Sequence, residues 1–242
     1  MSIDICYDFR RDLMNRKFDV DEFDADRDSY TLRNYHQILW NKKLPNGEDS
    51  SFSEKLIGTY RKLRFYDINV SSDTMINCYT RKGWRQMKNI INNIPNNEIE
   101  TFYKSLFSIG NYIIFPSDKI DDNNTINQER GWCSYIKDRF DITLECIRLY
   151  YNGENSPLFN VINRYNNYFK LFNNFNGYCD FFFLQDLTKN GYSEINFFLP
   201  FDNFLGDSCP SSVDEYYIYK NNSTNFIDKR NKRIVEYINK SS

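Results

Sequence analysis

Rings carry the hydrophobic volume of this chain: 21 phenylalanines, 19 tyrosines and 3 tryptophans stand against a single alanine, Ala25. The accompanying excess of Asn, Ile and Lys is the bias of AT-rich codons, so the many asparagines carry little functional information. At 242 residues the length exceeds the commonest domain size, yet one large domain is expected before two. A chain this long can bury roughly 70–75% of its unfolded surface, and no internal repeat or Gly-, Ser- or Pro-rich linker divides it. Residues 1–242 are therefore read as a single globular domain, with residues 1–29 a polar, acidic N-terminal segment.

Periodicity and punctuation predict an α+β domain that is predominantly helical, with a small sheet of about three or four short strands. Asp28 or Ser29 can cap a helix over about Tyr30–Asn41, stopped before the turn signal Leu44-Pro45-Asn46-Gly47. The spacing of Ile76, Tyr79, Gly83, Met87, Ile90 and Ile94 predicts a helix from Asp73 to Ile94, ended by Pro95. Asn97-x-x-Glu100 resembles a capping box for the next helix, closed by Gly110. Further helices are expected over Lys137–Tyr151, from Ser156-Pro157 through Phe172, and over Val213–Asn239. Strands are expected at Ile3–Tyr7, Leu63–Val70, Tyr112–Phe115 and Ile195–Leu199. Tyr178 to Leu187 is apolar nearly all round and must be buried.

Net charge is −2, which does not favour nucleic acid as a partner unless a local basic patch supplies the contact. The six cysteines contain no CxxC pair and sit mostly in apolar stretches, as buried hydrophobes do. No signal-peptide pattern opens the chain, and the longest apolar run, Phe181–Leu184, is too short to span a bilayer. A soluble, cytoplasmic protein with reduced thiols and no membrane partner is expected.

Several segments carry a family resemblance. They include Tyr35-His36-Gln37-Ile38-Leu39-Trp40, Ile113-Ile114-Phe115-Pro116, Thr125-Ile126-Asn127 and Asp138-Arg139-Phe140-Asp141. Others are Thr143-Leu144-Glu145-Cys146-Ile147-Arg148, Gly177-Tyr178-Cys179-Asp180-Phe181-Phe182, Leu184-Gln185-Asp186-Leu187 and Phe197-Phe198-Leu199-Pro200-Phe201-Asp202. Together they resemble a domain-of-unknown-function family common in Gram-positive bacteria, matching from about Tyr7 to Ile234. The resemblance implies one domain and brings no activity, ligand or catalytic set with it.

The densest charge lies on the helix expected at Lys137–Tyr151. At 100° per residue Asp138, Asp141, Glu145 and Arg148 share one flank, beside an apolar face of Phe140, Leu144, Ile147 and Tyr151. Three carboxylates so close raise one another's pKa unless a cation sits among them. That cation can be Arg148, Arg130, Arg164 or Mg²⁺, which suits oxygen-rich clusters and substrate phosphates. On this reading Asp138, Asp141 and Glu145 are candidate catalytic residues. Arg130, Arg139, Arg148, Asp180 and Asp186 are then candidate ligand-binding residues. The same residues also suit an ion-pair network at a helix–helix seam.

Arg81, Arg85 and Lys88 form a basic stripe beside Trp84, the usual pairing of phosphate contact with a stacking ring in nucleic-acid binding, or else a solvated face. His36, the only histidine, is read as a packed or surface residue, and one histidine makes His-based zinc sites improbable. Asp24, Asp26 and Asp28 mimic the start of a calcium loop but lack its glycine and its closing glutamate, so a solvated acidic segment is expected. Asp67, Asp118 and Asp202 follow predicted strands, where they line a cleft or simply terminate the strands. No phosphate-cradling glycine loop occurs. Two functions follow as expectations. One is an enzyme or binder of a phosphate-containing ligand acting through an acidic/Arg pocket, with Mg²⁺ as the only cofactor suggested. The other is a non-catalytic module with a protein partner in a bacterial stress, toxin or phage-conflict system.

Overall fold

A computed structural model describes residues 3–13, 24–50, 52–57, 60–63 and 68–241. Helices α1 (Ala25–Asp28) and α2 (Tyr30–Trp40) lead into strands β1 (Phe52–Ile57), β2 (Tyr60–Leu63) and β3 (Ile68–Thr74). After α3 (Lys88–Ile91) and α4 (Asn96–Ser105) come β4 (Tyr112–Pro116), α5 (Ile126–Trp132) and α6 (Phe140–Tyr151). Then follow α7 (Phe159–Arg164), α8 (Asn166–Lys170), α9 (Phe175–Phe181), the two-residue strands β5 (Thr188–Lys189) and β6 (Glu194–Ile195), and α10 (Val213–Ser241). Helices dominate and the sheet is small, as the sequence patterning predicts.

The main sheet is antiparallel in the order β1-β2-β3-β4. Its terminal strand β4 is buried along its whole length, and it runs opposite β3 from Val70↔Pro116 to Thr74↔Tyr112. A continuous apolar run of this length is what a strand covered on both faces requires. The long helix α10 lies against the chain just before β4. It buries Tyr216, Tyr219, Phe226, Ile227, Arg230 and Ile234, one helical face. The approach is close: a Cβ on Gly110 would stand 2.6 Å from both the Ile227 carbonyl oxygen and Asn231 Oδ1. Glycine is required there. The rings interlock mainly at tilted or edge-on angles, as in Phe172 against Tyr178 at 5.2 Å and 89°, the geometry that ring quadrupoles favour.

Several expectations change. Ile76, Tyr79, Met87 and Ile94 are buried as their spacing demands, but no helix runs from Asp73 to Ile94. Asp73 and Thr74 complete β3, the Met75 amide donates to the Asn111 carbonyl, and Tyr79 takes a left-handed φ of 58°. Tertiary pairing with Asn111 overrides local helix propensity. Gly83 sits in an open turn rather than against another backbone. The helix expected from Ser156 to Phe172 breaks at Tyr165 into α7 and α8. No strand forms at Ile3–Tyr7, which turns at Ile5 and Cys6 ahead of a 3-10 turn at Phe9–Leu13, and the strand expected at Ile195–Leu199 shrinks to β6. The helix expected after Asn97 begins behind Pro95 without a side-chain cap and ends at Ser105, short of Gly110. Part of the strand predicted at Leu63–Val70, together with Asp67, lies outside the described residues.

Candidate functional site

The site is organised around one arginine. Thr125 and Gln128 form a capping box that starts α5, which places Ile126 and Arg130 on one buried face, four residues apart. Arg130 Nη1 donates to Asp73 Oδ2 at 2.5 Å and to the Thr74 carbonyl at 3.0 Å. Its Nη2 donates to the carbonyls of Met75 and Asp138, and its Nε donates to Thr143 Oγ1. Asp138 Oδ1 lies 3.1 Å from the same guanidinium, and Asp138 Oδ2 accepts a hydrogen bond from Asn77. One cation therefore serves two carboxylates, and the pair retains excess negative charge. Lys137 and Asp138 both hold left-handed φ values, 51° and 64°. The Lys137 carbonyl accepts the Tyr79 hydroxyl. Non-glycine residues in that region persist only where their surroundings fix them, often beside functional sites.

The two carboxylates face a cavity of about 400 Å³, whose wall also includes Asp24, Asp26, Ser72, Asn77 and Arg81. That volume falls within the range of ligand pockets. Behind the wall runs an oriented chain of hydrogen bonds. Trp40 Nε1–H, which can only donate, meets His36 Nδ1 at 2.7 Å, so the ring proton lies on Nε2. His36 Nε2 then donates to Ser72 Oγ at 2.7 Å, and the Ser72 hydroxyl donates to Asp26 Oδ1 at 2.7 Å. The Ser72 amide completes the lock by donating to Asp26 Oδ2. The acidic segment at Asp24–Asp28 is thus not solvated as expected: Asp26 and Asp28 are buried, because Ser72 satisfies the first and Arg27 pairs with the second.

Asp73 is recessed, its side chain 23% exposed. Desolvation pushes its carboxyl up to about 6, with Arg130 opposing and Asp138 adding to the rise. The native carboxyl therefore holds its proton more tightly than the unfolded one. This group adds stability as pH falls through about 6 towards its ordinary 3.8, and the gain disappears as pH rises through 6. In urea unfolding, wild type should gain on Asp73→Asn as pH drops from about 7 to about 4.5. Parallel curves would mean that Asp73 titrates normally.

The acidic helix does not converge as its spacing suggested. Asp138 precedes α6 and enters the cavity. Asp141 is fully buried, paired with Arg139 at 2.5 Å and accepting the Phe198 amide, while Arg139 also donates to the carbonyls of Ser208 and Leu199. Glu145 pairs with Arg148 one turn along the same helix. Asp180 accepts hydrogen bonds from Gln185 and Tyr192, and Asp186 pairs with Arg233. Of the expected cluster only Asp138 lines the cavity, with Arg130 fully buried beside it. At the expected strand ends, Asp118 bonds Asn69 and Asp202 lies in a loop. Among the described residues no three His, Cys, Asp or Glu side chains gather as a metal site.

Arg81, Trp84, Arg85 and Lys88 do come together, through a turn and a short helix. With Tyr79 and Lys82 they line a second cavity of about 510 Å³. Trp84 packs edge-on to Tyr79 at 4.9 Å. Arg81, Arg85 and Lys88 are exposed and form no ion pair among the described residues. Arg81 lines both cavities. Sequence reasoning missed Ser72, Asp73 and Asn77 as site residues, and it noticed Asp26 only as part of a solvated acidic segment. The one available signal was Asp73 directly after the β-prone run ending Val70-Ser71-Ser72.

Fold and cleft together define a helix-dominated α+β domain with a recessed carboxylate–arginine pocket opening beside a basic, aromatic groove. The chain belongs to a family described as a family of unknown function (DUF6994), whose model matches residues 3–234. No curated protein and no solved structure matches it. No helix among the described residues is long and apolar enough to cross a membrane.

Proposed function

We propose that the two cavities, which share Arg81 on their walls, bind a nucleotide-type ligand, and that the protein acts on or senses it. The observation that carries this reading is the position of Arg81 on both cavities, which sets a basic stacking groove next to an acidic pocket. Phosphate would be repelled by Asp24, Asp26, Asp73 and Asp138, so it belongs on Arg81, Arg85 and Lys88. A base stacks on Trp84. Hydroxyl and amino donors of the sugar or base then meet Asp73 and Asp138, which accept such bonds strongly when ionised. Mg²⁺ bridging a phosphate to these carboxylates is the variant that brings phosphate into the pocket itself. Asp73, titrating near neutrality, suits general acid–base work there. All six cysteines are free, in keeping with a reducing bacterial cytoplasm as the setting.

Isothermal titration with AMP, ADP and a short single-stranded oligonucleotide, each with and without Mg²⁺, tests this. Binding should weaken with salt, and Arg85→Glu together with Lys88→Glu should weaken it roughly tenfold or more, given about 1.4 kcal/mol per tenfold change. Trp84→Ala should remove the ligand-induced change in tryptophan fluorescence. The reading fails if no ligand gives heat at millimolar concentration under either condition. The second reading, a protein-interaction module in a bacterial stress or conflict system, rests on Trp132 at 72% and Leu205 at 84% exposure. Trp132 ends α5 and Leu205 lies on a loop, and the Ser208 hydroxyl ties the segments that follow them by donating to the Tyr135 carbonyl. It gains if Trp132→Ser with Leu205→Ser abolishes capture of a partner while nucleotide binding is nil.

A further inference from the structure

Charge on the wall of the first cavity limits the chemistry that can run there. Among the described residues that wall carries four carboxylates, Asp24, Asp26, Asp73 and Asp138, and one cation, Arg81. Arg130 is buried behind the pair Asp73 and Asp138. A site so charged repels a transition state that gathers negative charge, as phosphoryl transfer does. It attracts one that gathers positive charge. Within a nucleotide the N-glycosidic bond is the one that breaks through a cation, leaving an oxocarbenium-like sugar.

Two of the carboxylates are set as a pair. Arg130 Nη1 lies 2.5 Å from Asp73 Oδ2 and 3.1 Å from Asp138 Oδ1, so these oxygens stand at most 5.6 Å apart, the sum of the two distances. Carboxyl pairs about 5–5.5 Å apart cleave a glycosidic bond by direct attack, whereas roughly 6.5–9.5 Å is needed to seat a water in between. The other two oxygens are also held: Asp73 Oδ1 accepts the Thr74 amide at 2.9 Å, and Asp138 Oδ2 accepts from Asn77 at 3.0 Å. Each oxygen keeps a lone pair for a ligand, and both side chains reach the cavity.

Building on the nucleotide reading above, we propose that this pocket hydrolyses the N-glycosidic bond of a nucleotide, with Asp138 as nucleophile and Asp73 as general acid and then general base. Asp138 attacks the anomeric carbon and forms a glycosyl ester while the carbon–nitrogen bond breaks. The electron pair of that bond goes to the base, which takes the proton of Asp73. Water then attacks the anomeric carbon, Asp73 takes its proton, and Asp138 leaves as carboxylate. One nucleotide and one water yield free base and ribose phosphate. Desolvation raises the Asp73 carboxyl to about 6, with Arg130 opposing and Asp138 adding, which suits Asp73 to the acid role. A base on Trp84 and a phosphate on Arg85 and Lys88 leave the sugar at Arg81, the residue on both walls.

The full chain incubated with AMP, GMP, CMP and UMP in EDTA should release free base, resolved by chromatography. With methanol as acceptor, the methyl riboside phosphate formed should keep the β configuration, the mark of a double displacement. Asp73→Asn should slow AMP cleavage roughly 100-fold yet spare a nitrophenyl riboside phosphate, whose leaving group departs without a proton. Asp138→Asn should lose both substrates. Product and configuration are read on wild type, so they decide the matter even if Asp138→Asn fails to fold. The proposal is overturned if the products are orthophosphate and nucleoside, if the methyl product is α, or if Asp73→Asn slows both substrates alike. It is also overturned if a nucleotide that titration shows bound releases no base, an outcome that leaves the binding reading standing. If no nucleotide binds at all, both fall together.

Discussion

Replacing Asp141 by alanine should lower folding stability by about 3–5 kcal/mol, a large share of the roughly 5–15 kcal/mol typical of a domain. The carboxylate is fully buried and engaged by Arg139 and by the Phe198 amide. Removing it strands a guanidinium that is itself 2% exposed, along with an unpaired buried N–H. Urea unfolding measures the loss directly. The companion variant, Asp141→Leu with Arg139→Met, removes both charges and should recover much of the stability, since apolar replacement of a buried pair is often neutral or better. Recovery below full would reflect the carbonyls of Ser208 and Leu199, which also accept from Arg139. A stably folded Asp141→Ala protein would contradict the structural role and return Asp141 to the list of candidate site residues.

The contrast between Asp141 and Asp138 shows where sequence reading stops. Helical spacing placed both on one flank with Glu145 and offered two readings of the crowding, a site or an ion-pair seam. Asp141 and Glu145 are each paired with an arginine close in sequence, as local pairs rather than a network across a helix–helix seam. Asp138 departs from them because the chain turns left-handed at Lys137 and Asp138 before α6 begins, a change of direction that no periodicity encodes. Its partner Asp73 is 65 residues away and joined to it only through Arg130. Ring burial was legible wherever apolar spacing repeats, as at Leu158, Val161, Ile162, Tyr165 and Phe169. It was equally legible at Ile76, Tyr79 and Met87, where the element was misjudged, because burial in a loop held by Asn111 gives the same spacing as burial on a helix. The basic residues flanking Trp84 were recognised as a group although they lie on a turn. Short-range proximity survives an error in secondary structure; long-range convergence does not.

Replacing Arg130 by methionine should be as damaging as losing Asp141, about 3–5 kcal/mol at neutral pH, and its dependence on pH should be distinctive. The guanidinium ties the end of β3, the following loop and the turn before α6 through Thr74, Met75 and Asp138. Among the described residues it is also the one cation paired with Asp73 and Asp138. Without it the Asp73 carboxyl, already raised to about 6, rises further, because the opposing influence is gone while desolvation and Asp138 remain. The native state then takes up a proton that the unfolded chain does not hold. Stability of Arg130→Met should therefore increase as pH falls from about 7.5 to about 5 and be lost again as pH rises through the folded value. Adding Asp73→Asn should restore part of the stability at neutral pH and flatten that dependence. Arg130→Lys should fall between, since one ammonium can meet a carboxylate but cannot span three carbonyls. If Arg130→Met binds AMP or ADP with wild-type affinity once stabilised at low pH, the carboxylate–arginine pocket is structural and the ligand is held by the groove at Arg81, Trp84 and Arg85 alone. If binding is lost there while Asp73→Asn in the wild-type background weakens it only in part, the arrangement set by Arg130, rather than any single carboxylate, is what the ligand recognises.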